Sequence, residues 1–273
     1  MLSATLLAVL QQRPLSLVFD IDGTLSPLVP RPEDARLYPG VAALLAELKR
    51  HAHVAIMTGR MLVDGASIVN VEGLTYIGTH GLEWSEGLPA THAVQLIPEA
   101  RPYVEPANAL LNLAERALSD LPGVIVERKQ VGGSIHYRNV AAPSEARQRI
   151  LSLLEEPARR SGMRLSEGKF VVEVLTPLAV NKGSAIRRYA QQTGARGLLF
   201  AGDDRTDLDA VLALEQLRQE GIQTCSVVVK HADTLPDLLA HADVIVDEVP
   251  GMVQLLTEIA HTLHRKNDCS NTV

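Results

Sequence analysis

Asp20 and Asp22 stand one residue apart and run directly into Gly23 and Thr24. With each residue type at about 5–7% usage, D-x-D-G-T should arise by chance on the order of 10⁻³ times in a chain of this length. Paired carboxylates at this spacing suit phosphoryl transfer. Asp20 can attack phosphorus and carry it as an aspartyl phosphate. Asp22 can protonate the leaving oxygen and afterwards activate water. Further along, Thr58 can donate to a phosphoryl oxygen. Lys182, beside Gly183, can screen the nucleophile and the phosphate. Asp203 and Asp204 follow Gly202. Carboxylates crowded in this way repel one another and a phosphate dianion, so they imply a hard cation with oxygen ligands, Mg²⁺ above all. Asp20, Asp22, Asp203 and Asp204 are its expected ligands, with Asp203 or Asp204 opposite Asp20. Asp207 is a ligand or a support for one. Asp209 fits a helix N-terminus, where Thr206 and Asp209 resemble a capping box.

The elements that must position these groups are short buried strands. Leu17-Val18-Phe19 is an apolar run that breaks into the D-x-D segment, as in a parallel sheet covered on both faces. His53–Met57 ends in Thr58-Gly59-Arg60, Leu74–Gly78 in Thr79-His80-Gly81, and Gly197–Ala201 in Gly202-Asp203-Asp204. Ligand sites of open parallel sheets lie at the carboxyl ends of the strands. Each polar group therefore leaves a strand where chemistry is done, and Gly59, Arg60 and His80 are expected on the substrate side. Val41, Leu44, Leu45 and Leu48 recur at helical spacing after Pro39-Gly40. Strands at Cys225–Val229 and Val244–Val246 and a helix from Met252 to about Leu263 complete the pattern. The last residues, Lys266 to Val273, are expected to be disordered.

Between the third strand and Asn181 the βα alternation stops for about a hundred residues, too many for a loop. The interval carries its own elements: a helix over about Glu105–Asp120, strands at Val124–Val131 and Ser134–Val140, a helix over about Ser144–Arg160, and a strand at Lys169–Leu175. Gly132-Gly133 reads as a two-residue hairpin turn. That turn would pair Lys129 with His136 and Glu127 with Arg138, all on one face. Taken alone, such a face is solvated and carries a cross-strand ion pair, and Glu173 either joins it or caps the edge. The chain is thus expected to be α/β: a Rossmann-like core with a parallel sheet, residues 1–86 and 179–273, interrupted by an α+β domain over 87–178.

Composition narrows the function. Of 273 residues, 46% are hydrophobic and only 3% aromatic, so the core must be aliphatic. The formal net charge of −6 argues against a nucleic-acid binder, which would show a basic face. No stretch reaches the roughly 20 apolar residues of a membrane span. The opening MLSATLLAVLQQR lacks a basic leader and reads as a packed helix rather than a signal peptide. Cys225 and Cys269 make no disulfide framework, which fits a cytoplasmic protein.

In order along the chain, DIDGTLSP (Asp20–Pro27), Thr58, Lys182 and GDD (Gly202–Asp204) resemble the four signature segments of the haloacid dehalogenase superfamily of phosphatases. Within it, GTHGLE (Gly78–Glu83), ERK (Glu127–Lys129), HYR (His136–Arg138), GKFVVEV, NKGSAI and GDDRTDLD are similar to the trehalose-6-phosphate phosphatase family. The resemblance implies an inserted cap over a Rossmann-like core, Mg²⁺ dependence and trehalose as product. It also implies substrate-binding roles for Glu127, Lys129, His136, Arg138 and Glu173. Leu175 departs from the family, which usually carries Arg or Lys two residues after the strand glutamate, and Leu208 stands where an acid is common. The expected partner is a small sugar phosphate, with neither nucleic acid nor membrane, and the expected state a monomer or weak dimer. Competing readings are a phosphatase for sucrose- or mannosylglycerate-type phosphates, a phosphorylatable receiver module, and a catalytically silent sugar-phosphate sensor. A receiver carries its phosphoacceptor on a middle strand and has no insert; here the D-x-D lies on the first strand.

Overall fold

The computed structural model describes residues 2–270, of which 266–270 are described in their backbone alone. Strand β1 (Leu15–Phe19) is buried at every position, as a strand covered on both faces must be. Alternation along it divides the core in two. Leu15, Leu17 and Phe19 face one cluster, with Leu6, Leu10, Leu45 and Leu256; Val18 faces the other, with Ile186, Tyr189 and Leu214. Each fully buried side chain of this kind contributes about 1.5–3 kcal/mol.

In chain order the first unit supplies β1, β2 (His53–Met57), β3 (Thr75–Gly78), β4 (Glu83–Ser85) and β5 (Gln95–Leu96). Its helices are α1 (Ala4–Leu10), α2 (Val41–Leu48) and α3 (Leu62–Val69). The opening segment forms α1, with Ser3 accepting the Leu6 N–H as its cap. The second unit, residues 96–179, holds α4 (Val104–Ala117), β6 (Ile125–Arg128), β7 (Gly133–His136), α5 (Pro143–Arg160), β8 (Arg164–Gly168) and β9 (Val171–Leu175). The chain then returns to the first unit with α6 (Lys182–Thr193), β10 (Gly197–Gly202), α7 (Arg205–Gln219), β11 (Gln223–Lys230), α8 (Pro236–Ala240), β12 (Val244–Asp247) and α9 (Glu248–Ser270).

The large sheet has the order β12-β11-β10-β1-β2-β3-β4-β5. It is parallel from β12 through β3, and β4 joins β3 antiparallel. The first unit runs to Gln95 rather than 86, because the chain returns at β5 to add a further strand beside β4. The helix expected to stop near Leu263 continues to Ser270. The rest of the tail expected to be disordered, 271–273, lies outside the described residues.

The second unit is an antiparallel sheet of order β6-β7-β9-β8. Leu110, Leu111 and Ala114 of α4 and Ile150 and Leu154 of α5 pack on Ile135, Val172 and Val174. Its hairpin differs from the expected one. Glu127 pairs with Ser134 and Ile125 with His136, and the Lys129 N–H bonds the Gly132 carbonyl, so the chain reverses at Gln130-Val131. The two glycines answer to close backbone approach instead of to a turn. A Cβ on Gly132, at φ +97°, would lie 2.3 Å from the Val174 carbonyl oxygen, and one on Gly133 would lie 2.4 Å from that of Glu127.

Candidate functional site

Strands β10, β1 and β2 are neighbours in the sheet, so their carboxyl ends lie side by side. Asp203 leaves β10, Asp20 leaves β1 and Thr58 leaves β2. The ladder holds each exit in place: the Asp20 N–H bonds the Ala201 carbonyl at 2.9 Å, and the Thr58 N–H bonds Ile77 at 2.9 Å. All three side chains are buried. Lys182 enters at the start of α6, which Asn181 and Ser184 cap reciprocally.

Lys182 is the only cation on the cluster's floor among the described residues, 2% exposed. Its Nζ donates to Asp20 Oδ1 at 2.8 Å and to Asp207 Oδ1 at 2.6 Å. The other oxygen of Asp207 accepts the N–H groups of Asp203 and Asp204, each at 2.9 Å. Asp207 thereby fixes the lysine and the turn that presents Asp203. The capping box of α7 is Asp204 with Asp207, and not the expected Thr206 with Asp209.

Carboxylate oxygens of Asp20, Asp203 and Asp207 lie within 4.8 Å of one another. Burial, then the negative charges of Asp20 and Asp207, push the Asp203 carboxyl up to about 8. Burial also pushes Asp20 up to about 7, against the attraction of Lys182. A cluster in which carboxylates outnumber the lysine has room for a cation's charge. Gly23 keeps that space open. At φ +75° it turns the chain away from β1, and a Cβ there would sit 2.0 Å from Asp203 Oδ2. The donor set is oxygen alone, which suits a hard divalent ion.

Two expected ligands are placed otherwise. Asp204 is exposed and caps α7, accepting the Arg205 N–H, because it is the residue at which the helix begins. Asp22 gives both carboxylate oxygens to Arg60, from Nε and Nη2, each at 2.7 Å. The third arm of that guanidinium reaches the Pro32 carbonyl at 2.9 Å. Arg60 and His80 line the same cavity as Asp20, about 640 Å³ in volume, with Thr58, Gly59, Lys182 and Asp203. Gly59 is required by its neighbour, since a Cβ there would lie 2.6 Å from the His80 ring.

Sequence reasoning missed three participants. The bidentate Arg60–Asp22 pair joins residues from two strand ends and leaves no local pattern. Glu83, 2% exposed, accepts the Leu62 N–H at 2.7 Å and so caps α3. His231 donates from Nε2 to the Gly23 carbonyl at 2.8 Å and lies with Nδ1 2.6 Å from Glu248. It ties the D-x-D-G turn to the start of α9. Its signal was the polar exit of a further parallel strand, β11, at Lys230-His231.

In the second unit, Glu127 and His136 meet at 3.0 Å. Glu127, Ser134 and Glu173 occupy consecutive strands at one register level. Lys129 stands at the hairpin tip. Arg138 lies beyond β7, exposed, with its guanidinium 5.8 Å from the Phe170 ring centroid. The expected Glu127–Arg138 and Lys129–His136 pairs are therefore not formed: the register sets Glu127 against Ser134, and His136 takes the carboxylate.

A parallel sheet whose central strand presents Asp20 to a buried lysine and an acidic neighbouring strand end has the arrangement of the haloacid dehalogenase fold. A haloacid dehalogenase-like hydrolase from Bacteroides thetaiotaomicron shares that fold, with a TM-score of 0.61 over 89% of this chain and 98% of its own, at 13% identity. Residues 18–237 match the model of the trehalose-phosphatase family, and the chain belongs to that family. The trehalose-phosphate phosphatase of Mycobacterium leprae is 33% identical over 234 residues, 82% of this chain and 52% of that protein. The chain thus spans about half the length of the curated relatives it matches. A trehalose-6-phosphate phosphatase related protein of known structure is 25% identical, with a TM-score of 0.68 over 92% of this chain and 99% of its own.

Proposed function

We propose that the chain hydrolyses trehalose 6-phosphate to trehalose and phosphate through an aspartyl phosphate on Asp20, with Mg²⁺ as cofactor. The observation that carries this is Asp20 at the end of β1, oriented by Lys182 at 2.8 Å beside the oxygen cluster of Asp203 and Asp207. Lys182 takes one oxygen of Asp20 and leaves the other to attack phosphorus. As the new O–P bond forms, the bond from phosphorus to the sugar oxygen breaks, and Asp22 delivers a proton to that oxygen. Water then attacks the aspartyl phosphate, Asp22 takes its proton, and inorganic phosphate leaves. Thr58 and Arg60 supply donors for the phosphoryl oxygens.

Asp20, Asp203 and Asp207 would hold the ion, which neutralises charge on the phosphoryl group and on the crowded carboxylates. The Arg60 fork occupies both oxygens of Asp22. Asp22 can hand over a proton only after that fork has moved to another anion. The phosphate of the substrate is such an anion, so binding and release of the acid are coupled.

Metal removal has a pH-dependent consequence. Asp20 and Asp203 have folded pKa values of about 7 and about 8, above their ordinary 3.8. The folded, metal-free protein therefore holds protons that the unfolded chain has released. The stability they supply is complete below pH about 4 and is lost as pH rises through 7–8. A bound cation replaces those protons. The gap in Tm between saturating Mg²⁺ and EDTA is expected to be small at pH 5 and to widen by pH 8. Asp203→Asn should close most of it. A gap independent of pH, or one unchanged in that variant, contradicts the assignment.

The sugar is assigned to the second unit, with Glu127, Lys129, His136, Arg138 and Glu173 as its binding groups. Replacing Glu127 by Ala should lower kcat/KM for trehalose 6-phosphate by about 2–4 kcal/mol, the cost of leaving a charged hydrogen-bond partner unmatched in the complex. A small aryl phosphate has no sugar to recognise, and its turnover should hardly change. Equal losses on both substrates would assign Glu127 to the fold. No loss on either would remove it from recognition.

A further inference from the structure

Away from the acidic pocket, the first unit brings one carboxylate and two imidazoles together where α2 packs on α9. Glu47 lies in the last turn of α2, His51 follows in the turn after it, and His264 belongs to α9. The His51 ring is almost wholly covered, with 5% of its side chain exposed, whereas His264 is 61% exposed. His51 Nε2 stands 3.1 Å from Glu47 Oε1, and His264 Nδ1 stands 3.7 Å from the same oxygen. All three ligand atoms lie within 4.8 Å of one another. The imidazole planes are nearly perpendicular, at 89°, with centroids 6.3 Å apart, so the rings approach the shared oxygen from different sides.

We propose that Glu47, His51 and His264 form a binding site for a transition-metal ion of the Zn²⁺ class, which fastens α9 to α2. Zn–N and Zn–O bonds of about 2.0–2.2 Å put neighbouring ligands of a tetrahedral ion about 3.3–3.5 Å apart. The two separations from Glu47 Oε1, 3.1 and 3.7 Å, bracket that edge, and the two imidazole nitrogens lie within 4.8 Å of each other. Arg50 strengthens the argument. Its Nη1 donates to Glu47 Oε2 at 2.9 Å, which turns Oε1 toward the two imidazoles; a bound ion would take the place of the proton that His51 Nε2 shares with Oε1. Two imidazoles and one carboxylate select Zn²⁺, Co²⁺, Ni²⁺ or Cu²⁺ over Mg²⁺, the reverse of the all-oxygen cluster at Asp20. With three protein ligands, the fourth position is left for water.

The test is calorimetric titration of the full chain with Zn²⁺ in saturating Mg²⁺, which keeps the acidic cluster occupied, together with thermal unfolding at each Zn²⁺ concentration. The parent is expected to bind one equivalent and to gain Tm. His264→Ala, at an exposed position, should fold normally, lose affinity by roughly tenfold or more as one of three ligands goes, and lose the Tm gain. Glu47→Gln should behave likewise, and Asp203→Asn should still bind Zn²⁺ as the parent does. Unchanged Zn²⁺ affinity in His264→Ala would overturn the proposal. So would loss of that binding in Asp203→Asn, which would place the ion in the acidic pocket.

Discussion

Asp20→Asn is expected to abolish phosphate release, by on the order of 10⁴-fold or more, while leaving the fold intact. Losses of that size accompany removal of an attacking group from an assembled site. The amide is nearly isosteric with the carboxylate, and its oxygen can still accept the Lys182 N–H at the observed 2.8 Å. It lacks the anionic oxygen that attacks phosphorus. Circular dichroism should therefore match the parent while turnover vanishes. The companion variant Asp22→Asn should be slow for a different reason. It can still be phosphorylated by a substrate with a good leaving group, but the water that must cleave the aspartyl phosphate has lost its base. The phosphorylated chain should then accumulate and be seen by mass spectrometry after rapid acid quench. Normal turnover in Asp20→Asn would rule out the covalent route.

The second large effect falls on Lys182. It is 2% exposed and bridges Asp20 and Asp207, themselves 4% and 0% exposed. Replacing it by Ala removes the buried cation that both carboxylates face. Breaking a buried charge network from one side costs about 3–5 kcal/mol, because the partners remain uncompensated. Urea denaturation in EDTA at pH 7.5 should show a loss of that order. Adding Asp207→Asn to Lys182→Ala should recover part of it, since one of the stranded charges is then gone. Turnover in Lys182→Ala should fall by at least about 10²-fold even where the protein is folded, as nothing then orients Asp20 or screens the phosphate. A stability loss below about 1 kcal/mol, or no recovery in the double variant, would mean that the contacts in the structure do not describe the charge balance of the pocket.

Much of the site was legible because its parts announce themselves locally. Apolar strand runs that end in Asp20, Thr58 and Asp203 need only the rule that parallel sheets present their ligands at strand ends. The second unit showed in the same way, as an interval whose spacing broke the alternation. What could not be read were relations set by register and by neighbours from remote sequence. Gly132-Gly133 looked like a turn, yet both glycines are fixed by carbonyl oxygens at 2.3 and 2.4 Å. Shifting the turn moved Glu127 opposite Ser134 and left Arg138 beyond the strand, beside Phe170. Asp204 and Asp207 are both acids near a helix start, and only the folded turn shows that one caps while the other holds Lys182. The Arg60–Asp22 fork and the His231–Gly23 contact span 38 and 208 residues, a separation at which no local pattern survives.

The proposed reaction is hydrolysis of a sugar phosphate in this pocket with the help of a divalent cation. Its most direct test measures inorganic phosphate released by the purified full chain from trehalose 6-phosphate, sucrose 6-phosphate, mannosylglycerate phosphate and glucose 6-phosphate, each with Mg²⁺ and with EDTA. The expected result is turnover with Mg²⁺ only, with the highest kcat/KM for trehalose 6-phosphate and none in Asp20→Asn. Release that persists undiminished in EDTA, or no release from any of the four with Mg²⁺, would contradict it.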